Sequence, residues 1–400
     1  MRHDHAFSSF CRREPVLLIA MVLAVGSSFF VPFSVSALVQ AIDWKVLGCL
    51  ASLMLVVAGL RKQRVFIRLA DSLLKHVHGV RGIGFTMVFL TFFISMAITN
   101  DVALITFVPL TIAVYVSSGM PQAILPVVVL QTIAANVGSA LTPVGNPQNL
   151  YIYSRYGFSV GTFFSTMLPF TVVGAVLLGI CLWLMPCCRR NSVSAPVPVD
   201  GSEDVEAVKG AEATALAQKY GPISMASILR YCVLFGISLC AVFAVIPWYA
   251  AVGIIAVAML PDYELFGKID WSLLLTFVGF FVFIGNLSSM DGLAFWFESL
   301  LEGHVFETSL LVSQIISNVP ATLLLSRFTE DGIHLLLGVN AGGCGTLIAS
   351  LASVISYKYY AGFHAGHAGL VPGVGRYMVI FTAVNLLFVA ALWICRLIIW

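Results

Sequence analysis

The stretch "NVGSALTPVGNPQN", residues 136–149, decides the fold, because it crowds glycine, proline, asparagine and threonine behind the apolar run "AILPVVVLQTIAA". Regular helix cannot run through it. Pro143 and Pro147 remove backbone donors, and Gly138 and Gly145 permit dihedrals closed to other residues. The rest of the chain is built for lipid: hydrophobic residues make up 60% of its 400 positions and charged ones 10%, with a mean hydropathy of +0.98. That balance excludes an ordinary water-soluble domain. Apolar runs reach the roughly 20 residues that span the hydrocarbon core and lack period-two alternation, so the spans are helices and not barrel strands. The expected fold class is an all-α polytopic membrane protein. Backbone left unpaired in lipid is costly, so a break at this depth must line a cavity or be buried in protein.

The same break occurs again. In "NAGGCGTLIASLAS", residues 340–353, Asn340, Gly342 and Thr346 repeat the spacing of Asn136, Gly138 and Thr142. Each break follows a hairpin candidate, one at 83–117 with "SMAITN" and one at 305–328 with "SQIISN". Ser95, Thr99 and Asn100 thereby match Ser313, Ser317 and Asn318. An arm of about 12 residues gives roughly 18 Å of helix, too short for a core of about 30 Å, so the second hairpin must enter and leave on one side.

Charge position sets the expected topology. With spans at 16–38, 44–60, 125–153, 161–186, 231–247, 248–260, 271–289, 332–357 and 377–399, and the N-terminus in the cytoplasm, 17 of the 21 Lys and Arg fall inside. Lys45, Arg155, Arg327 and Arg396 fall outside, a strong positive-inside bias. The first hairpin then opens from the cytoplasm and the second from outside, which makes the two halves inverted repeats. The expected organisation is an N-terminal membrane half, 1–186, with an interfacial helix at 61–82, a hairpin at 83–117 and a broken helix at 125–153. A polar cytoplasmic linker, 187–230, joins it to a C-terminal half, 231–400, with a hairpin at 305–328 and a broken helix at 332–357. The N-terminal apolar segment resembles a signal peptide, but it exceeds a typical apolar region and the topology holds with it retained.

Hydroxyls four residues apart lie on one helix face, so Ser95 with Thr99, and Ser313 with Ser317, join Asn100, Asn318 and the carbonyls of Gly138 and Gly342 as candidate cation ligands. Neutral hard oxygens of this kind suit Na⁺. Asp101 is the one acidic residue placed deep in the membrane; an intramembrane carboxylate is a functional candidate, to be balanced by a cation or a proton. Candidate substrate contacts are Asn100, Asn136, Thr142, Pro143, Gly145 and Asn146, with Asn318, Asn340, Gly343 and Thr346. No cofactor is expected beyond the coupling ion, Na⁺ or H⁺. The nine cysteines form no CxxC pair and read as small hydrophobes, Cys344 included. His364 and His367 in "FHAGHAG" read as a flexible loop, not a metal site. No nucleophile–base constellation points to an enzyme.

The motifs "ITNDVALITFVPL", "ANVGSALTPVGNPQN", "SNVPATLLLS" and "GVNAGGCGTLIASLAS" resemble the ion-transporter superfamily of citrate and divalent-anion/sodium symporters, arsenite permeases and NhaD-type sodium/proton antiporters. The likeness covers about 83–186 and 271–399. In the divalent-anion symporters two Ser-Asn-Thr tips bind sodium and carboxylate, which the resemblance maps to Thr99, Asn100 and Asp101 and to Ser317, Asn318 and Val319. The third position departs in both halves, and the Asn-Asp pair is similar to the arsenite-permease and antiporter branches. The resemblance implies secondary active, cation-coupled transport of a small anion such as a di- or tricarboxylate by alternating access, in a cell inner membrane. The alternative is an arsenite-type efflux permease or sodium/proton antiporter working through Asp101. Expected partners are the small-ion substrate, the lipid bilayer and, in a homodimer, a second copy of the chain; nothing points to nucleic acid.

Overall fold

The computed structural model describes residues 14–31, 34–77, 79–185 and 224–400. The first half holds α1 (Pro15–Ser28), α2 (Val35–Ala41), α3 (Trp44–Lys62), α4 (Val65–Leu74), α5 (Gly79–Ser95), α6 (Asn100–Ser117), α7 (Ile124–Ser139), α8 (Pro147–Arg155) and α9 (Val160–Leu184). The second holds α10 (Met225–Val242), α11 (Trp248–Ala258), a 3₁₀ segment (Leu260–Lys268), α12 (Trp271–Leu287), α13 (Asp291–Leu301), α14 (Val305–Ile316), α15 (Asn318–Leu325), α16 (Gly332–Gly342), α17 (Leu351–Gly366) and α18 (Val374–Ile399). No strand occurs among the described residues. Among the described residues, six helices are long and apolar enough to cross a membrane, or up to eight if each of two sharply bent pairs counts as one span.

Local chemistry starts these helices. Asp43 accepts from Val46 N at 3.0 Å to cap α3, Ser159 caps α9 and Asp331 caps α16, each satisfying a donor that the first turn leaves free. Pro147 sits at the first position of α8, where its missing donor costs nothing.

Every residue of α7 is buried except Pro126, which is half-buried. It is the centre of the molecule, with α5, α6, α9, α17 and α18 packed around it. By contrast α9 and α18 present large apolar side chains outward, including Val172, Val176, Val379 and Leu386, as helices facing acyl chains do. The halves pack by one scheme. Within each, the first hairpin arm lies on the broken helix, α5 on α7 and α14 on α16; across them, the second arm meets the far side of the other break, α6 against α17 and α15 against α8.

Several boundaries differ from those read in the sequence. In the described part of the first apolar segment, 16–38, one helix ends at Ser28 and another begins at Val35. The interfacial stretch 61–82 is divided between the end of α3, the ten-residue α4 and the start of α5. His364 lies inside α17, which runs on to Gly366, so the stretch read as a loop is helical to that point. Residues 187–223 of the polar linker lie outside the described residues, and 225–230 already belong to α10.

Candidate functional site

Both hairpin tips are non-helical and both are tied to their breaks by the same bonds. In the first half α5 stops at Ser95, and Thr99 has extended backbone at the start of α6. In the second, α14 stops at Ile316, and Ser317 adopts φ 74, a value rare outside glycine. Ser95 and Thr99 are therefore not on a common helix face, and neither are Ser313 and Ser317, because the helix ends between the members of each pair. Asn100 N donates to Gly145 O at 3.1 Å and Asn318 N to Ala349 O at 2.9 Å. Gly145 and Ala349 hold the same place after Asn136 and Asn340. Thr142 Oγ1 donates to Met96 O at 2.5 Å and Thr346 Oγ1 to Gln314 O at 3.1 Å, again equivalent positions.

Gly138 and Gly342 serve the same packing. A side chain at Gly138 would strike the carbonyl oxygen of Phe92 and stand 2.7 Å from Ser95 Oγ; one at Gly342 would stand 2.7 Å from Ser313 Cβ. Ser95 and Ser313 donate to carbonyls of their own helices, Phe92 O at 2.8 Å and Ser309 O at 2.7 Å. The Gly342 carbonyl accepts from Gln314 Nε2 at 2.8 Å and from Gly345 N at 3.0 Å.

The asparagines join the halves. Asn136 Oδ1 accepts from Asn100 Nδ2 at 3.0 Å and Ser350 Oγ at 3.1 Å, while Asn136 Nδ2 donates to Gly343 O at 2.9 Å. A Cβ on Gly343 would stand 2.9 Å from Asn318 Nδ2, so the Asn318 amide would have to shift to admit one. Asn340 Nδ2 donates to Asn149 Oδ1 at 2.8 Å, and Asn149 Nδ2 reaches the carbonyls of Ser139, Ala140 and Thr142. Asn146 Nδ2 donates to Ser139 Oγ at 2.7 Å, leaving its buried Oδ1 without a partner. Pro143 is buried inside the first break, whereas Thr346 in the second is exposed. Thus hydrogen bonds join Asn100, Asn136, Gly343 and Ser350 in one cluster, Asn318 lies against it at Gly343, and Asn340 is linked to the first break through Asn149.

Asp101 stands apart from this cluster. Its backbone N donates to Asn100 Oδ1 at 2.9 Å, and its buried Oδ1 has no hydrogen-bond partner. With Thr99 it lines a cavity of about 790 Å³ that also touches Val144 and Pro147 of the first break and is rimmed by Arg61, Lys268 and Asp270. Lys62, also on the wall, is held by Asp262 at 3.0 Å and Glu264 at 2.5 Å. A lysine so engaged cannot also neutralise Asp101.

Sequence reasoning missed Gln314, Asn149 and Ser350. Gln314 clamps the second break from both sides, its Oε1 accepting from Thr346 N at 2.7 Å. The signal for it was present, since "SQIISN" carries an amide where "SMAITN" carries methionine.

Residues 11–330 match the citrate transporter family. The chain is similar to the inner membrane protein YbiR of Escherichia coli (strain K12), at 31% identity over 85% of this chain and 86% of that protein. It is also similar to the uncharacterized transporter MJ0456 of Methanocaldococcus jannaschii, at 30% identity over 83% and 86%, respectively. The magnetosome protein MamN of Magnetospirillum gryphiswaldense is 26% identical over 89% of this chain and 85% of its own length.

Proposed function

This chain belongs to the citrate transporter family and is an integral membrane transporter; we propose that it carries a small anion, of the di- or tricarboxylate kind, coupled to Na⁺ or H⁺, by secondary active alternating access. The observation that carries this reading is the cavity of about 790 Å³, which ends at once on the first hairpin tip, through Thr99 and Asp101, and on the first break, through Val144 and Pro147. A solute entering there meets the start of α6, which Thr99 does not cap with its side chain. The helices that begin beside the tips and breaks, α8, α15 and α17, are likewise uncapped by side chains. Helix starts of this kind point partial positive charge at an anion, and tip and break oxygens would hold the cation. On this reading the halves are inverted repeats, the N-terminus is cytoplasmic and the protein sits in the inner membrane, as the name of its Escherichia coli relative says of that protein.

A second reading is favoured by one observation, the partnerless carboxylate oxygen of Asp101 in the cavity wall. A bare carboxylate about 4 Å from an anion would be repelled by roughly 4 kcal/mol at an effective dielectric of 20, whereas a sodium/proton exchanger would use the same group to trade one cation for another. Reconstituted proteoliposomes separate the two. Accumulation of labelled di- or tricarboxylate under an inward Na⁺ or H⁺ gradient is the expected result; exchange of Na⁺ for H⁺ with no anion uptake would overturn the anion-carrier reading in favour of the second.

A further inference from the structure

Beside the cavity, the short α4 carries a patch of charge that the transport site does not use. Phe66 and Ala70 bury its inner face, while Leu69 and Leu73, 40% and 42% exposed, form an apolar flank one helical turn apart. Arg68 and Lys75 are exposed on the opposite, polar side. Asp71 is the only acidic residue between positions 61 and 81. Among the described residues none of Arg64, Arg68, Lys75 and Arg81 makes an ion pair. Arg64 forms the left-handed turn between α3 and α4, at φ 56, and its Nε and Nη2 are buried without a partner. Arg81 stacks over Trp183, 5.8 Å from the ring centroid, and that indole, 68% exposed, ends the apolar surface of α9.

These features define a membrane-surface site. The exposed leucines offer an apolar flank, the exposed indole is a side chain that favours the bilayer interface, and cations without an ion pair beside both call for anionic oxygen. We propose that α4, with Arg64, Arg68 and Lys75, and the nearby Arg81–Trp183 pair, bind the head groups of anionic phospholipids at the membrane surface where α3 ends. Phosphodiester oxygens would accept from the guanidinium groups, bidentately where geometry allows, and Leu69 and Leu73 would sit among the first acyl carbons. The inference is independent of which solute the protein carries, because none of these four cationic side chains lines the cavity.

The test uses full-length protein in detergent, titrated with phosphatidylglycerol or phosphatidylcholine of identical acyl chains and examined by native mass spectrometry. Phosphatidylglycerol should be retained at least tenfold more strongly. Each of Arg64→Gln, Arg68→Gln and Lys75→Gln should lower that affinity about fivefold, corresponding to about 1 kcal/mol per basic residue near an anionic surface. Arg155→Gln, at the exposed end of α8, should leave it unchanged. Should Arg64→Gln fail to fold, the exposed Arg68 and Lys75 carry the test alone. Equal retention of the two lipids, a preference unaltered in both the Arg68 and Lys75 variants, or loss of phosphatidylglycerol to inorganic phosphate at matched ionic strength would overturn the proposal.

Discussion

Gly138→Ala tests the contact on which the first half is built. The new methyl would lie inside van der Waals contact of Phe92 O, 2.7 Å from Ser95 Oγ and 2.9 Å from Phe92 C. Two of those three atoms are backbone and cannot rotate away. Relief requires α5 and α7 to part by about 0.5–1 Å, an overpacking that costs about 1–3 kcal/mol. The same movement stretches the bond from Asn100 N to Gly145 O, already 3.1 Å long, and its loss adds about 0.5–1.5 kcal/mol. Against this stands a helix-propensity gain of about 1 kcal/mol for alanine over glycine. The net destabilisation is about 0.5–3.5 kcal/mol, and at roughly 2 °C per kcal/mol for a long chain the unfolding midpoint falls by roughly 1–7 °C. Gly179→Ala is the control, because it also lies inside a helix but nothing stands within 4 Å of its added carbon; its midpoint should stay level or rise. The measurement is the thermal midpoint of each purified variant in one detergent at one scan rate. A Gly138→Ala midpoint equal to or above that of Gly179→Ala would refute the close approach of α5 to α7.

Two further outcomes follow from charged groups. Asp101→Asn removes the cavity carboxylate while keeping its size, so the pH dependence of transport in proteoliposomes should flatten; a wild-type profile would leave Asp101 a helix-start residue only. At Asp262, outside the spanning helices, partial burial pushes the carboxyl upward, but hydrogen bonds from Lys62, Tyr231 and Arg230 outweigh it and hold it below its ordinary 3.8. A depressed folded-state value means that the folded protein binds fewer protons than the unfolded one, so this stabilisation is complete above pH 3.8 and is lost as pH falls through the folded value. Asp262→Asn should therefore be less stable than wild type at neutral pH, and the gap should close in acid; a gap that stays constant down to pH 3 would sink the assignment.

The sequence showed where helices break but not what ends them. Glycine, proline and asparagine inside apolar runs announced both breaks, and the matched spacings Asn136–Thr142 and Asn340–Thr346 announced that the halves share a plan. These are local signals, and local chemistry suffices to read them. The end of α5 at Ser95 is different, since nothing local forbids a further turn through "MAIT". The carbonyl of Met96 is taken by Thr142 Oγ1, a hydroxyl 46 positions later in the chain, and that bond belongs to the packed molecule. The same reason hid Asn149 and Ser350, whose partners Asn340 and Asn136 lie in the opposite half. Where the outcome hinges on which remote donor reaches which carbonyl, periodicity carries no information.

The equivalences also show where the halves part company, and the differences fall on side chains while the backbone bonds persist. Asn100 N to Gly145 O and Asn318 N to Ala349 O are the same bond. Yet Gln314 adds two side-chain bonds to the second break, to Gly342 O and from Thr346 N, where the first half has only Met96. Asp101 likewise faces the cavity, whereas its counterpart is Val319. Ser317 Oγ also donates to Ala349 O at 3.3 Å, against which the first half sets Asn100 Nδ2 to Asn136 Oδ1 at 3.0 Å. The net difference of about two hydrogen bonds, at about 0.5–1.5 kcal/mol each, makes the second tip about 1–3 kcal/mol harder to part from its break than the first. The ionisable group and the weaker tether thus coincide in one half, on the tip that the cavity reaches.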